Sequence, residues 1–365
     1  MSLATAPRPL IGPHAGEAAT VAAVRRRPAR RPGRVRSLGW AILGPAALVL
    51  GACAGNAPQD TLEPEGPIAR QINNLINPVF IVAGVVFVIV QFLVVYFVVR
   101  YRHRPDRPEP VQVHGNTKME IAWTAAPAAI LLVIAFPTIA TIFELAADPA
   151  PDAVHVTVVA RQFWWEYRYD DYDVVTANEL VIPTDRDIAI SLESIDVIHS
   201  FWVPKLAGKT DVVPGRVNHM RLYASEPGRY QGQCTEYCGL SHANMRLVAV
   251  AKTPADFDAW VANQRGDAPE PAEGTPAAAG KALFAANCTA CHTIAGVSDG
   301  TIGPNLTTFA TRERFAGAIF ENTPENLRRW IPNAPGVKPG VVMPAFDTLD
   351  EEQVDNIIAY LGTLR

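Results

Sequence analysis

Cysteine is scarce in this sequence, and the odd number of cysteines argues against a framework of disulfides. There are five cysteines in 365 residues, so disulfide pairing would leave one thiol over. The sequence contains one isolated cysteine, Cys53, and two close pairs, Cys234 with Cys238 and Cys288 with Cys291. Each of these groups therefore requires a chemistry of its own.

An excess of positive charge is also missing, which argues against binding of nucleic acid. The first 52 residues hold eight lysines or arginines and one acidic residue, so the remaining residues hold 24 basic and 35 acidic ones. An acidic surface of this kind suits a basic partner, although a solvated surface without a partner has the same composition.

Charged residues are absent from two long apolar runs, residues 78–99 and 121–143. At about 1.5 Å of rise per residue, each run is long enough to cross a hydrocarbon core of roughly 30 Å. Two buried core helices are the alternative, but uncharged runs of this length are uncommon in soluble proteins. We therefore predict a hairpin of two membrane-spanning helices over residues 78–143.

The charges beside these runs predict their orientation. The loop between the runs is basic, and the residues after the second run are acidic: Arg100, Arg102, Arg104, Arg107 and Lys118, against Glu144, Asp148 and Asp152. Because basic loops stay in the cytoplasm, everything from about residue 144 onward is expected outside the cell.

A basic block and a short apolar run near the N-terminus are typical of a signal peptide. Arginines at seven positions between residues 25 and 36 precede an apolar run over residues 38–50, which is too short to span a membrane. Leu50-Gly51-Ala52-Cys53 then resembles the lipobox of bacterial lipoproteins, although an ordinary cleavage site is the alternative. We predict a signal peptide over residues 1–52, a lipid on Cys53, an external segment over residues 53–77 and anchoring in a bacterial cell membrane as a multi-pass protein.

Short apolar runs separated by Pro, Gly and Asp follow the predicted hairpin. They lie at residues 154–158, 179–183, 187–193, 217–223 and 246–250, with an aromatic cluster at residues 163–169. This spacing favours a β-sandwich or barrel over residues 144–264, closed by a helix at residues 255–264. Residues 265–278, rich in Pro, Ala, Glu and Gly, predict a flexible linker. Helices at residues 279–287 and 351–364 predict a small, mostly helical module over residues 279–365.

The segment from Cys234 to Met245 combines two thiols, an imidazole and a thioether. Its spacing is Cys234-x3-Cys238-x3-His242-x2-Met245, and this mixture of ligands favours copper. The cysteine pair alone could equally form a disulfide, a redox dithiol or a copper chaperone site. A second histidine, His199, could reach the loop from another strand, as a cupredoxin-type site requires.

At these residues the chain resembles subunit II of cytochrome c oxidase, across residues 73–252. The matching motifs are Glu120-Ile121-Ala122-Trp123-Thr124, Asp196-Val197-Ile198-His199-Ser200-Phe201, Lys209-Thr210-Asp211-Val212-Val213-Pro214-Gly215-Arg216 and the cysteine loop. The resemblance implies a cupredoxin-like sandwich with a binuclear copper centre, CuA. It implies the following ligands: bridging thiolates of Cys234 and Cys238, the side chains of His199, His242 and Met245, and the backbone carbonyl of Glu236.

The resemblance also implies roles for residues outside the copper loop. The side chain of Glu236 would help to bind a magnesium ion shared with subunit I. Glu120 would mark the entrance of a proton channel, although an interfacial acid that stays in water is the alternative. The electron-accepting tryptophan of the family aligns with Phe163 and not with Trp164, so either aromatic residue could accept electrons, and both could simply be packing residues.

A second motif, Cys288-Thr289-Ala290-Cys291-His292, is the pattern for covalent attachment of c-type haem. A redox dithiol is the alternative for the cysteine pair taken alone. Gly303-Pro304-Asn305-Leu306 and Met343-Pro344 resemble the haem-packing loop and the axial methionine segment of class I cytochromes c. That resemblance implies thioethers at Cys288 and Cys291, axial ligands His292 and Met343, haem packing at Pro304, and a helix crossing at Gly280, Phe284 and Tyr360.

Together the two motifs predict a multi-domain membrane protein: a transmembrane hairpin, a cupredoxin-like β-sandwich and an all-α cytochrome c domain. The resemblance implies the electron-input subunit of a caa3-type haem–copper oxidase, active only in a complex with subunit I and subunit III. Electrons from an external cytochrome c or a cytochrome bc complex would pass through haem c and CuA, and oxygen would be reduced in subunit I with proton pumping. A thiol reductase or copper chaperone, and a structural subunit with a lost metal centre, are the competing interpretations.

Overall fold

The computed structural model describes residues 57–106, 108 and 111–365. The predicted signal peptide and the predicted lipid site at Cys53 lie outside the described residues. Two long helices open the described chain, α1 (Pro67–Arg100) and α2 (Thr117–Leu145). Both are long and apolar enough to cross a membrane, and no residue of their most apolar segments is buried, as expected for surfaces that face lipid.

Helix α1 begins well before the apolar run that predicted it. Its first turn starts at Pro67 and buries Ile68 and Ala69, and Ile68 belongs to the core of the domain that follows. Arg70 Nη2 donates a hydrogen bond to Ser225 Oγ at 2.9 Å. The hydropathy pattern missed this start because the first turns pack on protein, whereas the rest of the helix is apolar on all sides.

Ten strands form a β-sandwich of two five-stranded sheets. The first sheet has the order β3-β2-β1-β5-β8, and the second has the order β4-β10-β9-β6-β7. The strands are β1 (Val154–Arg161), β2 (Trp164–Tyr169), β3 (Val174–Ala177), β4 (Glu179–Pro183), β5 (Ile188–Ser194), β6 (His199–Trp202), β7 (Thr210–Val212), β8 (Asn218–Leu222), β9 (Gly228–Cys234) and β10 (Arg246–Lys252). This arrangement confirms the predicted sandwich.

The aromatic cluster supplies much of the sandwich core. Trp165, Tyr167 and Tyr169 lie at alternate positions of β2, so they share one face of the sheet, and each is at most 1% exposed. The Trp165 ring meets Phe201 of the other sheet edge-on, with centroids 5.2 Å apart. Helix α3 (Pro254–Gln264) closes the sandwich and buries Phe257 and Val261.

The C-terminal domain is mainly helical. Its helices are α4 (Pro276–Asn287), α5 (Pro324–Trp330), α6 (Ala334–Val337) and α7 (Glu351–Leu361). Two short antiparallel strand pairs accompany them: β11 (Thr293–Ile294) with β12 (Ser298–Asp299), and β13 (Arg314–Phe315) with β14 (Phe320–Glu321). Helices α4 and α7 cross where Phe284 meets Tyr360, with ring centroids 5.6 Å apart.

The predicted linker is shorter than its composition indicated. Residues 276–278 are the first turn of α4, because Thr275 caps the helix by accepting a hydrogen bond from Ala278 N at 3.2 Å. Pro276 at the first helical position supports the same start. Within the linker, Arg265 Nε donates to Tyr172 O at 2.7 Å, and Ala268 N donates to Ala295 O at 3.2 Å.

Candidate functional site

Strand pairing brings the predicted copper ligands to one end of the sandwich. His199 is the first residue of β6 and Cys234 is the last residue of β9. These strands are antiparallel neighbours, and Phe201 pairs with Cys234. Cys238 lies in the loop after β9, His242 opens a single 3-10 turn, and Met245 precedes β10.

The donor atoms of all six predicted copper ligands meet around the two thiols. Cys234 Sγ lies 3.8 Å from Cys238 Sγ, and His199 Nδ1 lies 3.9 Å from Cys234 Sγ. On the other side, His242 Nδ1 and Met245 Sδ lie 3.6 Å and 3.8 Å from Cys238 Sγ. The sixth donor, the Glu236 carbonyl oxygen, lies 3.2 Å from Cys234 Sγ.

The centre of this cluster is buried. His199 and Met245 are fully buried, and each cysteine is 3% exposed. The sulfur separation of 3.8 Å is far longer than the roughly 2.05 Å of a disulfide. Two thiols, two imidazoles and a thioether are soft donors that favour copper, so these residues fit the copper pair that the sequence predicts.

Asp196 orients His199 from outside the cluster. Its Oδ1 lies 2.8 Å from His199 Nε2, so that nitrogen is occupied and Nδ1 is left to face the sulfurs. Burial alone would raise the pKa of Asp196, but the hydrogen bonds from His199, Val197 N and Gln162 N outweigh burial and lower it. A carboxylate behind a histidine is the usual outer partner of a metal-binding imidazole.

The thiols and His199 share one electrostatic network. The hydrogen bond with Cys238 lowers the pKa of the Cys234 thiol well below its usual range, and its hydrogen bond with His199 acts in the same direction. The same pairing, together with burial, raises the pKa of Cys238. Burial would lower the pKa of His199, but its hydrogen bonds with Asp196 and Cys234 raise it. The two thiols and His199 are therefore electrostatically linked, as donors that share one metal site would be.

The haem motif folds around His292. Its Nδ1 lies 2.8 Å from Pro304 O and donates to that carbonyl, which leaves Nε2 available for iron. A Cβ on Gly303 would lie 2.6 Å from His292 Cε1, so only glycine allows the loop to pass this close to the ring. Burial lowers the pKa of His292, which favours the neutral, ligating form.

The other predicted haem residues lie near the same helix end and in a later segment. Cys288 is the C-cap of α4, and burial raises the pKa of its thiol to about 11. Met343 lies between α6 and α7 and is partly buried. Its segment is anchored by Phe346 N, which donates to Pro332 O at 2.9 Å. These residue types fit a covalently attached haem with histidine and methionine ligands.

The remaining predicted residues lie in contrasting places. Glu120 opens α2, and its Oε1 accepts a hydrogen bond from Asn116 N at 3.1 Å. Glu236 has an exposed side chain. Phe163 is 3% exposed, whereas Trp164 is half-buried beneath the Arg161 guanidinium, 5.3 Å from its ring.

Two further residues at these sites carried no signal in the sequence. Gln162 Nε2 donates to Cys238 O and so ties β1 to the copper loop. Lys338 is 1% exposed, a degree of burial that its position in a loop after α6 does not predict. Asp196 belongs to the same short motif as His199, but its contact with His199 depends on the fold of the loop.

The comparisons with protein families agree with this geometry. The family model for the transmembrane domain of cytochrome c oxidase subunit II matches residues 60–141, and the model for its periplasmic domain matches residues 173–252. The cytochrome c model matches residues 277–365. Cytochrome c oxidase subunit 2 of Alkalihalophilus pseudofirmus is 39% identical over 328 residues, which cover 87% of this chain and 94% of the relative. This chain belongs to the cytochrome c oxidase subunit II family.

Other members of the family are similar over smaller shares of the chain. Cytochrome c oxidase subunit 2 of Bacillus sp. strain PS3 is 37% identical over 286 residues, 73% of this chain and 80% of the relative. Quinol oxidase subunit 2 of Bacillus spizizenii is 33% identical over 235 residues, 61% of this chain and 70% of the relative. As a cytochrome c oxidase subunit II with a cytochrome c domain, the chain is a component of a membrane-bound oxidoreductase complex, and its sandwich is the periplasmic domain of the family.

Proposed function

We propose that this chain is the electron-input subunit of a caa3-type haem–copper oxidase. It would receive electrons at its C-terminal haem domain and deliver them through the copper centre of the sandwich to subunit I, where oxygen is reduced to water. The observation that carries this proposal is the meeting of six predicted copper donors in a chain that also holds a folded Cys-x2-Cys-His domain.

The residues around each site are suited to one-electron transfer. When bound, the copper pair and the haem would supply reversible one-electron redox chemistry. Cys234 and Cys238 are held by the β9–β10 connection, which begins and ends in paired strands. Such a stiff, buried setting limits movement of the donors when the charge of the site changes. If His292 and Met343 both bound the iron, the thioether of Met343 would raise its reduction potential.

The finer assignments follow from the family resemblance. Glu236, with its exposed side chain, would bind magnesium at the boundary with subunit I, and Glu120 would mark the proton entrance. The oxidase would also contain subunit III and would lie in the bacterial plasma membrane. Its electron donor would be a basic cytochrome c or a cytochrome bc complex, and electron transfer would be coupled to proton pumping. A lipid on Cys53 would add a second anchor to the two spans.

The competing interpretations account for fewer residues. A copper chaperone or thiol reductase needs only Cys234 and Cys238, and it leaves His199, His242 and Met245 at the thiols without a purpose. Thiols that exchange copper or electrons with a partner are usually accessible, whereas each of these cysteines is 3% exposed. A subunit with a lost metal centre predicts missing donors, and all six predicted donors are present.

Copper content tests the proposal directly. The full chain, matured for haem and loaded with copper in detergent, should hold two coppers per haem and give a mixed-valence electron paramagnetic resonance signal. Cys234→Ser and Cys238→Ser should abolish that signal and leave the haem spectrum unchanged. Ala243→Ser is the matched control, because Ala243 is exposed between two predicted ligands. One copper or none in the wild-type chain, with normal haem, would refute the copper assignment.

A further inference from the structure

A buried lysine joins the haem domain to the sandwich. Lys338 follows α6, is 1% exposed and precedes the predicted haem ligand Met343 by five residues. Its Nζ donates hydrogen bonds to two backbone carbonyls, Phe163 O of the sandwich and Ala316 O of the haem domain, each at 2.7 Å. One ammonium group therefore bridges two domains.

Such burial is costly unless the lysine is well bonded. Lysine is almost never fully buried without partners, and burial lowers the pKa of Lys338 to about 7. The two carbonyls compensate for lost hydration only while both domains are in place. If the haem domain swung away on its linker, the Phe163 bond would be lost and Lys338 would be exposed.

Further hydrogen bonds cross the same junction beside the copper loop. Ser241 Oγ, in the loop between His242 and Cys238, donates to Pro339 O at 2.6 Å. Arg246 N, at the start of β10, donates to Gly317 O at 3.0 Å. Both bonds involve residues of the haem domain that adjoin the Lys338 contact.

A second group of bonds lies at β4. Glu179 Oε1 accepts from Glu313 N at 3.1 Å and from Arg314 N at 3.2 Å. Arg229 pairs with Glu179 and Glu313 at 3.0 Å each. Two separated groups of bonds restrict rotation of one domain on the other, which a single contact would not.

The Phe163 ring fills the space between the copper loop and the methionine segment. A Cβ on Gly239, next to Cys238, would lie 3.2 Å from Phe163 Cζ, and a Cβ on Gly340 would lie 3.0 Å from Phe163 Cε2. The backbones of both segments therefore touch one aromatic ring. Gly340 has φ of 85°, a conformation that favours glycine, so this close approach is built into the segment.

We propose that Lys338 is a positioning residue that locks the haem domain onto the sandwich, with the methionine segment against Phe163 and the copper loop. The inference rests on the proposed function and deepens it. With haem and copper bound, this arrangement would serve the transfer of one electron from the haem domain to the copper donors of the sandwich; the electron lost at one site would be gained at the other, with no transfer of a proton or ligand. The docked interface, and not the reach of the linker, sets the geometry for that step.

Chemical labelling of lysines tests the docked state without measuring activity. In the full chain with haem and copper bound, we expect an acylating reagent to modify Lys338 at least about tenfold more slowly than Lys209, whose side chain is 51% exposed. Slow labelling of Lys338 would report that the docked domains shield its amine from the reagent. Labelling of Lys338 at the rate of Lys209 would overturn the proposal.

Substitution of the lysine tests its role in the assembled oxidase. Lys338→Met keeps the length of the side chain but leaves both carbonyls without their donor, and we expect a rate of electron transfer from haem to copper that is roughly tenfold lower. Hydrogen exchange at the Arg246 amide should accelerate. Transfer from photoreduced copper into subunit I should be unchanged, because the substitution lies outside that step. Lys281→Met, which removes only the pair between α4 and Glu270 of the linker, is the control.

A second variant guards against misfolding of the haem domain. Glu179→Gln weakens the junction from the sandwich side, and it should slow the same step and accelerate exchange at the Glu313 and Arg314 amides. If both variants keep the wild-type rate and exchange, the positioning role is refuted and the proposed function stands. If the wild-type oxidase itself shows no electron transfer from haem to copper, the proposed function fails.

Discussion

Replacing Gly280 by alanine should destabilise the haem domain, because α4 and α7 touch at this residue. A Cβ on Gly280 would lie 2.5 Å from the carbonyl carbon of Asn356 and 3.0 Å from Ile357 N, and closer still to Asn356 O. These are backbone atoms of α7, so no side chain can rotate away. The helices would have to separate by about 1 Å to restore ordinary contacts.

The expected cost combines three effects. Overpacking of a well-packed contact costs about 1–3 kcal/mol. Separation of the helices also weakens the Phe284–Tyr360 contact, in which both rings are at most 1% exposed and which contributes about 0.5–1.5 kcal/mol. Alanine favours the helix over glycine by about 1 kcal/mol, which offsets part of the loss. The net destabilisation should be about 2 kcal/mol, or roughly 10 °C in the transition of a domain of this size.

Thermal loss of the methionine-ligated haem spectrum in the full chain measures this effect. Gly362→Ala is a matched control at the end of α7, where a Cβ would lie 3.4 Å from Ala359 O and Ile358 O, and its effect should stay within about 0.5 kcal/mol. If the midpoint for Gly280→Ala equalled that for Gly362→Ala, the reasoning from the helix crossing would be refuted.

Two further predictions concern the copper site and the membrane edge. Asp196→Asn should lower the affinity for copper by about 10- to 100-fold, because the outer partner of His199 loses its charge. Copper titration measures this affinity, and Asp211→Asn at an exposed position is the control. Equal affinities of the two variants would contradict the prediction. Glu120→Gln keeps an oxygen that can accept the hydrogen bond from Asn116 N, so α2 should be unchanged. In the assembled oxidase we expect slower proton uptake, and unaltered uptake would favour the interfacial-acid interpretation of Glu120.

Local spacing explains why most site residues could be predicted. Cys234, Cys238, His242 and Met245 lie within twelve residues, so any compact loop brings them together. The Cys-x2-Cys-His motif is similarly local, because Cys288, Cys291 and His292 lie in one turn at the end of α4. His199 is 35 residues before Cys234 in the chain, and it reaches the thiols only because β6 pairs with β9. The resemblance to the family implied that His199 is a ligand.

The observed helix starts differ from the predicted ones where they depend on individual contacts and not on average composition. The apolar run marks the part of α1 that faces lipid, but the first turns pack on the sandwich at Ile68. The start of α4 was placed three residues too late, at 279 and not at Pro276, because the cap at Thr275 lay within a segment whose composition resembled a linker. The composition of a segment indicates only whether the segment as a whole favours solvent, whereas a helix cap depends on a single hydrogen bond.

The sequence by itself determined the two long apolar helices, the sandwich, the C-terminal helical domain and the local motifs Cys234–Met245 and Cys288–His292, because these depend on hydropathy, periodicity and short spacings. Only the tertiary structure decided how the two domains meet. Lys338 and Phe163 are 175 residues apart in the chain, and nothing in the composition around Lys338 indicates that its ammonium group is buried. That burial arises from two surfaces packed together, and their complementarity depends on the folded shape of each domain.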